Sequence, residues 1–124
     1  MNESRCFYTL CTIGGFLAVA LGAFGAHFLK TRVDEYYLGV FKTGVEYQMY
    51  HSLALGFVAL WMSRMPSPLL KFAGIAFVIG MVIFSGSLYL LVLTKTKAWG
   101  AVTPIGGLSF LVGWFLLILN SLKN

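Results

Sequence analysis

Four side chains that could carry chemistry lie close together at the start of one apolar segment. Glu46 and Tyr50 are four residues apart, and so are Tyr47 and His51. On a helix these side chains share an arc of about 140°. A carboxylate near an imidazole can fix the tautomer of the ring and raise its basicity, as in proton relays and metal sites. This group is therefore the first candidate for a functional site.

Two interpretations of this group stay open. It could bind a ligand or a proton, because ionisable groups at membrane depth often mark function. It could instead belong to an aromatic belt, in which side chains with polar tips mark the entry of a helix into the bilayer. A metal site is disfavoured, because two histidines and one glutamate are few ligands and their spacing does not match an HExxH motif. We therefore expect neither a metal nor a cofactor.

His27 is the other histidine of the chain. It follows Gly15, Val19 and Ala23 at intervals of four, and this ridge predicts that it points into the helix bundle or its mouth. The alternative is an interfacial histidine that bonds to a backbone carbonyl. If it points inward, His27 would form a polar pocket between the first two helices, together with the polar residues at the start of the second span. The candidate lining residues are His27, Glu46, Tyr47, Gln48, Tyr50 and His51.

Catalytic residues are not indicated elsewhere in the sequence. Cys6 and Cys11 are five residues apart, on different faces of a helix, and do not form a CxxC pair. The chain shows no nucleophile–base pair and no glycine-rich phosphate loop. We expect no enzymatic activity and assign no catalytic residue.

The composition places the elements that carry these residues in a membrane. Of the 124 residues, 59% are hydrophobic and 10% are charged, whereas soluble domains have about 25% charged residues. This excludes a soluble enzyme, a disulfide-stapled secreted domain and a disordered tail. The net charge of +5 comes from basic residues dispersed between apolar runs, which is typical of membrane proteins and excludes a nucleic-acid partner.

Four apolar segments predict a single four-span transmembrane domain over residues 1–124. The first run is too long for the core of a signal peptide and is interpreted as a retained helix. An amphipathic segment between the first two spans is too polar to cross and predicts a short interfacial helix over about 30–42. The fold class is therefore an all-α, integral membrane four-helix bundle. The predicted spans are about 7–28, 44–62, 70–93 and 102–120.

The orientation of the chain in the membrane stays open. Four spans place both termini on the same side. The segments on that side carry four basic residues and the two other loops carry five. The positive-inside rule needs a clear excess, and one residue is not an excess.

Small residues predict how the helices pack, because they allow close approach in lipid. They recur at intervals of three or four in three of the spans, most regularly in the first. They would build either the contacts of one monomeric bundle, which we favour, or a dimer face. The predicted packing residues are Gly14, Ala18, Gly22, Ala26, Gly80, Gly86, Gly106 and Gly113.

Four motifs give the chain a family resemblance. They are Leu21–His27, Tyr47–Ala54, Phe84–Tyr89 and Thr103–Gly107. In this order they resemble the YgdD/YwdK-like small inner-membrane proteins, a domain-of-unknown-function family numbered 423 that is related to transmembrane protein 256. The resemblance implies a four-helix protein of the bacterial cytoplasmic membrane, and it supplies no substrate.

The resemblance also ranks the candidate site residues. His27, Tyr47, Gln48, Tyr50 and His51 fall within the family's motifs. Glu46 departs from the family's pattern, which weakens any mechanism that rests on this carboxylate. The histidines therefore rank above it.

We expect a small structural or envelope-maintenance membrane protein that acts through helix and lipid contacts. Its partners would be the lipid bilayer and either a second copy of the chain or another membrane protein. The alternative function is binding or transport of a small molecule, an ion or a proton in the polar pocket. If the side chains of His27 and His51 lie close together, binding or transport is favoured. If they lie far apart, binding or transport is disfavoured.

Overall fold

A computed structural model describes residues 2–123, and every regular element within them is helical, which confirms the predicted all-α class. A short 3₁₀ helix, Lys97–Ala101, joins the last two long helices. Residues 1 and 124, the two ends of the predicted domain, lie outside the described residues. The four long helices are α1 (Glu3–Leu29), α2 (Glu35–Arg64), α3 (Pro68–Thr94) and α4 (Thr103–Lys123).

Local sequence signals define the starts and ends of the helices. The side chains of Asn2, Asp34 and Ser67 accept hydrogen bonds from backbone N–H groups in the first turns of α1, α2 and α3, respectively. These are favoured N-cap residues. α3 ends at Thr94, because the following residue, Lys95, has a left-handed φ of 52° that terminates the helix.

The connection between α1 and α2 differs from the prediction. The interfacial helix expected over residues 30–42 is not an element of its own, because α2 runs unbroken from Glu35 to Arg64. Before it, the chain turns, with the Val33 N–H donating to the Leu29 carbonyl at 3.0 Å. The helix continues because it contains no proline and because its Gly44 is buried against α3. This packing offsets the low helix propensity of glycine, which costs about 1 kcal/mol.

α1 contains a π-helical turn at Leu21–Gly25. On a regular α-helix, residues spaced by four drift around the axis by about 40° per step. The wider π turn counteracts this drift, and Ala26 beyond it is still buried. Gly22 remains on the same face, where an added Cβ would lie 3.0 Å from Cγ1 of Val45 in α2. The π turn therefore keeps the small-residue face of α1 on α2.

Each helix packs mainly on its neighbour in the chain: α1 on α2, α2 on α3 and α3 on α4. Within residues 2–123, α1 and α4 make no comparable contact, so the first and last helices do not close the arrangement. The core lies chiefly between α2 and α3, where Leu55, Val58, Leu70 and Phe77 are fully buried.

Within residues 2–123, three helical segments are long and apolar enough to cross a membrane: α1, α3 and Lys97–Lys123, which contains α4. α2 is not among them, because polar residues such as Glu46, Gln48 and His51 lower its mean hydropathy. Large apolar side chains cover the outer surface; Phe16 and Phe24, for example, are about three-quarters exposed. Lipid solvates such a surface and water does not. The chain is therefore an integral membrane protein.

Glycine–phenylalanine pairs bring α3 and α4 close together. In each pair, a Cβ added to the glycine would collide with the phenylalanine opposite. The pairs are Gly80 with Phe110, Gly106 with Phe84, and Gly113 with Phe77.

The other predicted packing residues have different surroundings. On α1, Ala18 is buried, and a Cβ added to Gly14 would collide with the Ser52 hydroxyl of α2. Gly86, in contrast, faces open space, with no atom within 4 Å of an added Cβ. Gly74 was not predicted, yet it receives the ring of Phe7.

We predict that Gly106→Ala destabilises the protein by about 1–3 kcal/mol, the usual cost of overpacking. The reason is that its Cβ would meet the backbone of Phe84, which cannot rotate away. Gly107 supplies the matched control, because an added Cβ there has its nearest contact at 4.0 Å. Gly107→Ala should be neutral or gain up to about 1 kcal/mol of helix propensity. Equilibrium unfolding in detergent measures both, and equal stability of the two variants would contradict this packing.

Candidate functional site

Gln48 forms the centre of a hydrogen-bonded network that joins three helices. Its Nε2 donates to the Gly14 carbonyl of α1 at 2.8 Å, and its Oε1 accepts from the Tyr89 hydroxyl of α3 at 2.7 Å. The Gly14 carbonyl can only accept, so the amide nitrogen must face α1 and the amide oxygen must face α3. One side chain thus fixes the register of α2 against both neighbours.

A second interhelical bond lies close to this network. The buried Ser85 hydroxyl of α3 donates to the Gly44 carbonyl of α2 at 2.6 Å. A Cβ added to Gly44 would come within 2.9 Å of the Tyr89 ring, so the absence of a side chain lets the two helices approach. Interhelical hydrogen bonds in membrane proteins contribute about 0.6 kcal/mol on average. Together, these bonds hold α1, α2 and α3 in one alignment.

His51 lies on a different face of α2, against α3 and α4. Its ring stacks on Phe110 of α4, with centroids 3.5 Å apart and planes at 8°. It also contacts Phe77 of α3 at a centroid distance of 5.5 Å. The residue is only 5% exposed. His51 is therefore part of an aromatic cluster.

Both ring nitrogens of His51 have protein partners. Nδ1 lies 2.9 Å from the Tyr47 carbonyl, which can only accept, so Nδ1 carries the proton and donates it. Nε2 accepts from the Trp114 indole N–H at 3.1 Å. These two bonds hold the neutral imidazole in one tautomer. Neither nitrogen is left for a ligand or a metal ion.

A groove of about 600 Å³ opens beside His51 on the outer surface between α2 and α4. Its volume falls in the range of ligand pockets, which is about 300–1,000 Å³. Most of the lining side chains are apolar or aromatic. We call it the α2–α4 groove; its lining residues are Tyr47, His51, Phe84, Pro104, Gly107, Leu108, Phe110, Leu111 and Trp114.

Glu46 and Tyr50 are exposed on α2, next to residues of this groove. The Tyr50 hydroxyl donates to Glu46 Oε2 at 3.1 Å, and the Tyr50 ring contacts the ring of Tyr47 at a centroid distance of 5.6 Å. The carboxylate is therefore paired with a phenol. It does not orient the His51 imidazole, whose partners are Tyr47 and Trp114.

His27 is exposed in the last turn of α1. The ridge that was expected to turn it inward faces away from the other helices. Val19 and Ala23 on this ridge are exposed, and no atom lies within 4 Å of a Cβ added to Gly15. The packed face of α1 is the neighbouring one, which carries Gly14.

The structure does not bring the six predicted residues into one pocket between the first two helices. Successive side chains on a helix differ by about 100° in direction, so the polar residues of α2 reach three different surroundings. Gln48 is buried between α1, α2 and α3, Tyr47 and His51 line the α2–α4 groove, and Glu46 and Tyr50 are exposed. His27, on α1, is exposed as well.

Sequence reasoning did not assign three important residues to the candidate site, although two of them lie in the motif Phe84–Tyr89. Ser85 and Tyr89 are four residues apart in the third span, a spacing that places two hydroxyls on one helix face and could have identified them. Trp114 gave no such signal, because its partner His51 is 63 residues away in the chain.

Comparison with known proteins gives one family match over most of the chain and relatives that cover nearly all of it. The family model described as "Protein of unknown function (DUF423)" matches residues 21–107. The UPF0382 inner membrane protein YgdD of Escherichia coli K12 is 42% identical over 120 residues, covering 97% of this chain and 92% of that protein. The UPF0382 membrane protein YwdK of Bacillus subtilis is 41% identical, covering 96% and 98%. The UPF0382 membrane protein SAB0533 of Staphylococcus aureus is 42% identical, covering 96% and 97%.

No solved structure matches the chain. The stretch matched by the family model begins at the π turn of α1 and ends in the first turns of α4. It contains Gln48, His51 and Tyr89, whereas Trp114 lies beyond it.

We predict that Gln48 and Tyr89 are energetically coupled. Tyr89→Phe removes the donor to Gln48 Oε1, and Gln48→Met removes both amide bonds at similar length. Each change should lower the free energy of unfolding by about 1 kcal/mol. In a double-mutant cycle, unfolded in mixed micelles, the coupling should be about 0.6–1.7 kcal/mol.

A control cycle pairs Tyr89→Phe with Cys6→Ala, which is exposed on α1. These two changes should be additive. A Gln48–Tyr89 coupling as small as that of the control would show that the two side chains are not bonded.

Proposed function

The chain belongs to the DUF423 family of membrane proteins, as its motifs indicated, and from this premise we propose that it is a four-span structural protein of the bacterial cytoplasmic membrane. It acts through contacts of its helices with lipid and with partner proteins, in an envelope-maintenance role and without catalysis. The partner is either a second copy of the chain or another membrane protein.

Four crossings are supported by the position of α2 between two apolar helices. α2 follows α1 along its length: Phe41 lies beside Gly25, and Gly56 lies beside Cys11. Its other side packs on α3. Because α1 and α3 are each long and apolar enough to cross, a helix packed along both of them crosses with them. Both termini then lie on the same side.

The length of α2 is consistent with this crossing. Residues 47–63 form an uncharged stretch of 17 residues, or about 26 Å at 1.5 Å per residue. The hydrocarbon core is about 30 Å thick, so Glu46 lies close to its boundary. There the Tyr50 hydroxyl satisfies one carboxylate oxygen.

The functional proposal rests mainly on one observation: the buried polar side chains form hydrogen bonds between helices. Gln48 bonds to α1 and α3, His51 accepts from α4, and Ser85 of α3 donates to α2. Ser87 of α3 pairs with Thr103 of α4 at 2.6 Å. These groups hold helices together, and the lipid-facing surface is left to make external contacts.

The alternative, binding or transport in a pocket between α1 and α2, has less support. It requires His27 and His51 to act on one ligand. His27 is exposed in the last turn of α1, and His51 is buried against α3 and α4.

We predict that Thr31 and Met65 lie on opposite sides of the membrane, because α2 connects them. Both residues are exposed. In a Cys6→Ala/Cys11→Ala background, Thr31→Cys and Met65→Cys are treated in intact spheroplasts with a membrane-impermeant maleimide. One of the two should react, and both should react after permeabilisation.

Lys95→Cys is the control, since four crossings place it on the side of Thr31. Identical labelling of Thr31→Cys and Met65→Cys in intact spheroplasts would mean that α2 does not cross.

We further predict that His51 supports the fold but is not required for the role in the cell. A strain that lacks the protein should take up more of an apolar dye. His51→Phe should restore normal uptake, although it lowers stability by about 1 kcal/mol because the Trp114 N–H loses its acceptor. Gly106→Leu, which prevents close packing of α3 and α4, should not restore it.

His27→Phe is the matched control, since the same substitution falls at an exposed position. Membrane abundance and thermal unfolding report whether each variant folds. A folded His51→Phe protein that leaves dye uptake high would refute the structural role and favour a binding function at His51. Unchanged uptake in the strain without the protein would refute the envelope role.

A further inference from the structure

The α2–α4 groove opens toward lipid. Its α4 wall runs from Pro104 to Trp114, and α4 belongs to a segment that is apolar and long enough to cross a membrane. Leu108 and Leu111 line the groove, and both are more than 60% exposed. The groove walls therefore continue into the lipid-facing surface, and a bilayer lipid reaches the groove from the side.

The length of the groove matches one leaflet. Pro104 and Trp114 are ten residues apart, which is about 15 Å along a helix axis. The hydrocarbon core of a bilayer is about 30 Å thick, so this is half of it. The groove begins in the first turn of α4 and runs toward the bilayer centre. A single acyl chain that descends from the headgroup layer follows the same path.

The walls of the groove are preformed by rings that pack on one another. Tyr47 and Phe84 have centroids 4.6 Å apart, and Phe84 and Phe110 have centroids 5.4 Å apart. Gly107 leaves space between them, since an added Cβ would have its nearest contact at 4.0 Å. Rigid walls lose little conformational freedom when a chain binds. The groove therefore favours a chain that stays bound over one that exchanges freely.

A carboxylate lies near the headgroup end of this groove. Glu46 immediately precedes the lining residue Tyr47, on the side toward the start of α2. Among residues 2–123, the only ion pair joins Glu3 to Lys71, so the Glu46 carboxylate has no basic side chain as a partner. The Tyr50 hydroxyl donates to this carboxylate, and the Tyr50 ring contacts the ring of Tyr47, which lines the groove. A carboxylate beside aromatic side chains attracts an ammonium group.

We propose that the α2–α4 groove binds one phospholipid with an ammonium headgroup, its acyl chain in the groove and its ammonium beside Glu46. This inference rests on the proposed membrane role. It does not require the envelope role, because quenching of Trp114 is measured on the purified protein in vesicles, whereas the envelope role is measured by dye uptake in cells. Failure of the lipid site and failure of the structural role are therefore distinguishable.

Quenching of Trp114 by brominated lipid tests the proposal. Trp61→Phe/Trp99→Phe leaves Trp114 as the single tryptophan of the chain. The protein is reconstituted in equal mixtures of phosphatidylethanolamine and phosphatidylglycerol, with bromine on the chains of one lipid or of the other. The relative quenching gives the preference of the Trp114 site for each lipid. We expect phosphatidylethanolamine to be preferred about two- to fivefold, the effect that an exposed ion pair supports.

Two variants assign the effect to the groove and to the carboxylate. Glu46→Gln should abolish the preference while the chain still quenches Trp114. Gly107→Leu fills the groove and should lower quenching by either lipid. Gly15→Leu is the matched control, because Gly15 also faces open space, but on α1, and it should change neither quantity. A companion protein that retains only Trp61, at the opposite end of α2 and beside Arg64, should show no preference for phosphatidylethanolamine.

Each outcome of these measurements either supports or overturns the lipid site. A preference that disappears in Glu46→Gln, with quenching that falls in Gly107→Leu, supports the site. Equal quenching by the two lipids in the parent protein would mean that only freely exchanging lipid contacts Trp114, and would overturn the proposal. A preference that survives Glu46→Gln would overturn it as well. Thermal unfolding confirms that each variant compared is folded.

Discussion

The absence of water from the bilayer core governs the interior of this protein. A polar group between helices there must find its partner in the protein. Gln48 meets this requirement with both atoms of its amide, toward α1 on one side and α3 on the other. Since sliding either helix would leave one atom without its partner, the same bonds that satisfy the amide also fix the helix register.

The small residues and the hydrogen bonds of the interior depend on one another. The two backbone carbonyls that accept interhelical bonds in α1 and α2 belong to glycines, Gly14 and Gly44. A side chain at either position would collide with the facing helix, so the carbonyl would no longer lie within reach of Gln48 or Ser85. The small residues therefore do more than allow van der Waals packing. They also leave backbone carbonyls accessible to hydrogen-bond donors on the next helix.

The sequence predicts the helical class and the membrane environment, because composition determines both. It predicts less about which face of a helix meets protein, since the protein interior and lipid are both apolar. The ridge of His27 was expected to point inward for this reason, and it is exposed. The π turn of α1 leaves no mark in the hydrophobic pattern. The bond between Trp114 and His51 arises only when distant segments pack, so spacing along one helix suggested a carboxylate partner that the structure assigns to Tyr50.

The position of α2 explains how a helix with several polar residues can belong to a membrane domain. α2 lies between α1 and α3, which cover two of its sides, and its His51 side is covered by Phe110 and Trp114 of α4. The more apolar helices therefore present most of the surface to lipid, and the polar side chains of α2 meet partners on three helices. Polar groups that stabilise the fold in this way are already satisfied. Specific recognition is then left to the remaining surface features. The α2–α4 groove with Glu46 at its end combines an apolar cleft with a carboxylate that forms no ion pair among residues 2–123.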